Sequence, residues 1–129
     1  MTNCTGPEYV YFIKALDAIK VGWSRRPHIR CAELQCKVPV RLELFCKILG
    51  GRKEEKLFHK AFKRYRRWGE WYSAEKAVMD TIYHCLITNK IPYRELEMLA
   101  DGDEYHARLS LSEQLPPDEP GVFYVGRLR

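Results

Sequence analysis

No apolar run in this 129-residue chain approaches the length needed to cross a membrane. Residues Met1–Glu8 have neither a basic start nor an apolar centre, so a secretory signal is not expected. Cysteine is scarce and poorly arranged for chemistry. Cys4, Cys31, Cys36, Cys46 and Cys85 form an odd, scattered set; Cys31 and Cys36 lie too far apart for a zinc knuckle, and no second pair answers them. Reduced, buried thiols in a cytoplasmic protein are the expectation. Low-complexity stretches are also missing. What remains is an ordinary soluble composition, 46% hydrophobic and 30% charged. Its length suits one domain with a single core.

Charge is unevenly spread. The formal net charge is +5, but residues 1–100 carry +8 and residues 101–129 carry −3. A basic body of this kind attracts polyanions at long range. Alone, that signal is weak.

Hydrophobic periodicity supplies the first elements. Tyr9–Lys14 and Ile19–Ser24 are short apolar-rich runs separated by Lys14-Ala15-Leu16-Asp17-Ala18, which reads as a β-hairpin. Pro27 suits the first turn of a helix running to about Gln35, with Ile29, Ala32 and Cys36 expected to face inward. Val40–Leu49 alternates, placing Val40, Leu42, Leu44, Cys46 and Ile48 on one face of a third strand. Gly50-Gly51 ends it. From Lys53 to Arg67 the period becomes helical, with Leu57, Phe58, Ala61, Phe62 and Tyr65 as the apolar stripe.

A further helix is expected after Ser73 as its cap, ending at Ile91-Pro92. Trp68, Trp71 and Tyr72 are expected to pack the end of the long helix onto the sheet. Arg108–Leu111 reads as extended, Pro116–Gly121 as loop, and Val122–Gly126 as a tail strand without a following helix.

Strand alternation puts Tyr9 and Tyr11 on one face of the first run, and Lys20 and Gly22 on one face of the second. Arg25, Arg26 and Arg30 follow directly on the candidate helix. A tyrosine, a lysine and an arginine at the mouth of one hairpin suit a phosphate better than a core. Arginine in particular can grip two phosphate oxygens in a fork that lysine cannot copy.

These pieces, taken in order, resemble the GIY-YIG nuclease superfamily. Tyr9-Val10-Tyr11 stands where that family's first triplet belongs, and Lys20-Val21-Gly22 where its second does. Arg30 follows Gly22 by eight positions, at the family's helix arginine. Glu55, opening Glu55-Lys56-Leu57-Phe58-His59, resembles the metal-binding glutamate. Gly69-Glu70-Trp71-Tyr72 is similar to a segment of one phage and microbial branch. The likeness spans roughly residues 9–75.

The resemblance implies an α+β fold, an antiparallel sheet of about three strands flanked by helices. It implies a nuclease domain over residues 9–92, followed by an acidic extension, partly loop, over residues 93–129. The activity implied is metal-dependent endonuclease cleavage of DNA with little sequence specificity, using Mg2+ or Mn2+ held by Glu55. Tyr11, Lys20, Arg30, Glu55 and His59 would form the catalytic set. Lys20 stands in place of the tyrosine that names the family, which leaves its role open between phosphate contact, tuning of Tyr11 and proton transfer.

Arg25, Arg26, Lys63, Arg64, Arg66 and Arg67 would meet the DNA backbone, a sequence-independent contact. With little chain left over for targeting, a homodimer or a directing protein partner is expected. Two rival readings come from other classes: a nucleic-acid-binding module without catalysis, and a phage-encoded protein that binds a host protein.

Overall fold

The computed structural model describes residues 6–114. Strands β1 (Tyr9–Ala15) and β2 (Ala18–Ser24) form the expected hairpin, closed by a two-residue turn at Leu16-Asp17. Helix α1 (Pro27–Gln35) follows, then β3 (Glu43–Leu49), α2 (Arg52–Ala61), β4 (Arg66–Trp68), β5 (Trp71–Ser73), α3 (Lys76–Thr88), α4 (Tyr93–Ala100) and α5 (Glu104–Gln114). The sheet is antiparallel, in the order β3-β1-β2-β5-β4. The α+β class agrees with the sequence, but the sheet has five strands rather than about three.

The two extra strands come from the end of the expected long helix. Helix α2 stops at Ala61, a short 3-10 turn covers Lys63–Tyr65, and the chain turns back through β4 and β5. Gly69, at φ +51, makes the tight reversal that a side chain would resist. Trp71 and Tyr72 therefore lie in the sheet itself, and Trp68 is 61% exposed rather than packed.

Alternation along β1 divides two cores. Val10 and Phe12 face the larger one, built with Ile19, Val21, Phe58, Phe62, Val78 and Ile82 beneath α2 and α3. Tyr11, Ile13 and Ala15 face a smaller cluster with Leu42, Cys31 and Leu34 beneath α1. Burying each large side chain contributes roughly 1.5–3 kcal/mol. Phe12 and Phe58 also meet edge-on with ring centres 5.0 Å apart.

Four sequence expectations change for local reasons. In β3 a bulge between the partners of Phe12 and Ile13 inserts Phe45, so Cys46 and Ile48 turn to the large core while Val40, Leu42 and Leu44 stay with the small one. In α1 the buried side is Cys31 and Leu34, leaving Ile29, Ala32 and Cys36 exposed. Arg108–Leu111 is helical, because Ala107 and Leu111, one turn apart, are the residues buried. Glu75 rather than Ser73 precedes α3 as its cap.

Leu96, Leu99 and Ala107, from α4 and α5, belong to the same large core as the sheet. Cys46 and Cys85 are buried thiols as expected, whereas Cys36 is exposed. No helix among the described residues is long and apolar enough to cross a membrane. Cys4, the Pro116–Gly121 loop and the tail strand at Val122–Gly126 lie outside the described residues.

Candidate active site

Tyr11 and Gly22 are direct partners across the β1–β2 ladder. The Tyr11 ring lies over the glycine so closely that a Cβ there would come within 2.4 Å of the phenolic oxygen. Glycine is needed for that approach, not for turn geometry. Helix α1 then brings Arg30 to the same hydroxyl. Pro27, buried at its first turn, sets where the helix starts, and the Arg30 guanidinium comes near enough to the Tyr11 hydroxyl to favour its charged form. It also meets Glu33 Oε1 at 3.3 Å.

A second group of side chains comes from α2 and β5. Glu55 and His59 sit one turn apart on α2, with His59 Nε2 3.2 Å from Glu55 Oε2. The other ring nitrogen, Nδ1, makes a short contact with the Tyr72 hydroxyl. Tyr72 reaches it because β5 pairs with β2, opposing Tyr72 to Ile19 and Trp71 to Lys20. One residue earlier, Glu70 accepts the Val21 N–H through its backbone and an ion pair from Lys20 Nζ, at 2.9 Å, through its carboxylate. One ligand atom each from Glu55, His59 and Glu70 lies within 4.8 Å of the others.

The electrostatics follow from this crowding. Burial pushes the Tyr11 phenol above its usual value; Arg30 opposes that by hydrogen bond and charge, while Glu70 and Glu55 add to it. At neutral pH Tyr11 therefore keeps its proton, and it can orient a water more readily than it can deprotonate one. The Arg30 guanidinium is raised, first by Tyr11 and then by Glu33. The two carboxylates repel each other unless positive charge lies between them, a part that Lys20 plays at Glu70 here. The chemistry of that donor set fits a divalent ion.

All five residues expected to form the catalytic set line this region: Tyr11 and Lys20 from the hairpin, Arg30 from α1, Glu55 and His59 from α2. Sequence reasoning gave Glu70 no role of its own and Tyr72 only a packing role, although both lie in the Gly69–Tyr72 segment. The signal that could have found them is Trp-Gly-Glu-Trp, a hairpin reversal between aromatics.

The basic residues are less united. Arg25 pairs with Glu8 at 2.8 Å, and Arg26 is exposed just before α1. Lys63, Arg64, Arg66 and Arg67 do not share a helix face. Arg67 forms a fork with both Asp17 oxygens at 3.0 Å, and Arg66 Nε donates to the Gly69 carbonyl. Lys63 and Arg64 instead border a separate cleft against Leu99 and Gly102.

Residues 8–87 match the T5orf172 domain. The chain belongs to that family. The T5orf172 match takes in β1 through nearly all of α3, and with them every side chain of the site just described. No curated protein and no solved structure matches the chain.

Proposed function

We propose that this T5orf172 protein is a metal-dependent endonuclease of the GIY-YIG type that cleaves DNA phosphodiester bonds with little sequence preference. The observation that carries the reading is the convergence of the Tyr11–Arg30 pair with Lys20 and the Glu55–His59–Glu70 group, from three separate stretches of chain. Hydrolysis of a phosphodiester requires a positioned water, charge stabilisation on the phosphorus oxygens and help for the leaving oxygen. Arg30 supplies a fork for two phosphate oxygens. Tyr11, held neutral and fixed by Gly22, orients the attacking water through its remaining hydroxyl valence. Lys20 supplies a further positive charge once it exchanges Glu70 for phosphate. Mg2+ or Mn2+, held at Glu55, would supply Lewis-acid stabilisation of the transition state.

DNA is the proposed partner, met by the backbone-directed cations Arg25, Arg26, Lys63, Arg64, Arg66 and Arg67. Nicking of supercoiled plasmid in Mg2+ or Mn2+, abolished by EDTA and by Glu55→Ala in a folded protein, is the expected result. Plasmid binding without any cleavage would instead make the domain a catalytically silent binding module. Neither binding nor cleavage would favour recognition of a host protein.

A further inference from the structure

We infer that Glu55, His59 and Glu70 form a three-donor site selective for first-row transition ions such as Mn2+ or Co2+ over Mg2+, with Tyr72 as its positioning residue. The inference deepens the proposed function, since this ion would be the one that the cleavage reaction uses. It differs from a single-carboxylate magnesium site in assigning two further ligands, one of them nitrogen.

Three observations carry it. The first is proximity: a single ion can touch all three residues, because their ligand atoms lie within 4.8 Å of one another. The second is rigidity. Glu55 is buried at 8% exposure, and it shares a helix face with His59 one turn later. Glu70 is pinned through its backbone carbonyl to Val21.

The third is the direction of the imidazole. Its Nε2 points at Glu55, while Nδ1 meets the Tyr72 hydroxyl. Tyr72 is itself buried, wedged at the ring of Phe62 with centres 5.9 Å apart, so its hydroxyl is held in place. A hydroxyl can either donate or accept. When it accepts the Nδ1 proton, the Nε2 lone pair is left facing the carboxylates. Outer partners of this type fix the tautomer of ligating histidines and typically contribute 10–100-fold in metal affinity.

Ligand chemistry then sets selectivity. Magnesium prefers oxygen, keeps its waters and needs near-ideal octahedral geometry. Imidazole together with carboxylates suits Mn2+, Co2+ and later ions better. Lys20 holds Glu70 through Oε1, so a cation shared by that carboxylate would loosen the pair and release the lysine towards the substrate phosphate.

The test is metal binding by the full chain, free of DNA, using MnCl2, CoCl2 and MgCl2 separately. Calorimetry should show Mn2+ and Co2+ binding at least ~10-fold tighter than Mg2+. Bound Mn2+ should show nitrogen hyperfine coupling in pulsed electron paramagnetic resonance, and His59→Gln should abolish it. Tyr72→Phe, which keeps the buried ring, should weaken Mn2+ binding about 10-fold or more without changing Mg2+ binding. Glu70→Gln should also weaken Mn2+.

Equal affinity for Mn2+ and Mg2+, absence of nitrogen coupling, or no metal binding at all would overturn the inference. If His59→Gln does not fold, Tyr72→Phe and the wild-type spectrum decide alone. Selective metal binding without DNA cleavage would sink the nuclease reading and leave this site standing. Magnesium-supported cleavage without nitrogen coupling would do the reverse.

Discussion

Gly22 and Tyr11 are locked as a pair: the hydroxyl of one occupies the space where the other would carry a methyl group, 2.4 Å away. Gly22→Ala must therefore push the Tyr11 ring off its place or spread the hairpin. The expected cost is about 1–3 kcal/mol of stability, as for other overpacked sites. Cleavage should fall to the level of Tyr11→Phe, because both changes displace the same oxygen. Denaturant titration and plasmid nicking, run on both variants, check this. Wild-type nicking by Gly22→Ala would remove Tyr11 from the proposed chemistry.

Lys20 bears on rate more than on affinity. If it meets the phosphate only as charge develops, Lys20→Met should slow single-turnover cleavage by about 10²–10³. Binding of uncleaved DNA should change little, since the interaction belongs to the transition state. An equal loss in both quantities would make it a plain backbone contact.

Alkaline pH should unfold the protein from the site side and the core side together. Burial holds the Tyr11 and Tyr72 phenols above their usual 10.0, and holds the Cys85 thiol well above its usual 9.0. In the unfolded chain these groups ionise near their usual values, while the folded chain keeps them neutral to higher pH. Stability is thus intact below about pH 9, starts to fall there because of Cys85, and falls further above pH 10 because of the tyrosines. Urea midpoints measured from pH 8 to 11 should show this, and Cys85→Ala should flatten the first part of the decline.

Leu16 is a surface residue in the wrong conformation. It has φ +56 and 74% exposure at the hairpin turn, where a leucine gains little burial to offset the left-handed backbone. Leu16→Gly should stabilise the fold by roughly 1 kcal/mol, seen as a higher melting temperature with cleavage unchanged. An unaltered or lower melting temperature would mean that Leu16 contributes packing beside Trp68 and Trp71 that the exposed surface does not reveal.

Much of this architecture was legible because its signals are local. Proline marked the start of α1, the stripe Phe58, Ala61, Phe62 marked α2, and strand alternation put Tyr11 opposite the Lys20–Gly22 face. What escaped was decided by a few residues at a time. The bulge at Phe45 rests on one inserted residue, which no alternation count can see. Strands β4 and β5 are three residues each, too short for periodicity, and their arginines read as the tail of a helix.

The site followed the same division. Glu55 and His59 could be paired from their spacing on one helix. Glu70 and Tyr72 join them only through the pairing of β5 with β2, a long-range relation.

The outermost strand bears on how copies of this protein can meet. Strand β4 closes one end of the sheet with three exposed residues, two of them arginines, and Arg67 is further clamped sideways to Asp17 of the hairpin turn. An incoming strand would find few free backbone groups there and would bring like charges face to face. Short, charged borders of this kind discourage sheet-to-sheet growth. Self-association of this chain by extension of the sheet at β4 is therefore disfavoured, which leaves the opposite edge at β3 and helical surface such as the exposed Ile29 and Ala32 of α1.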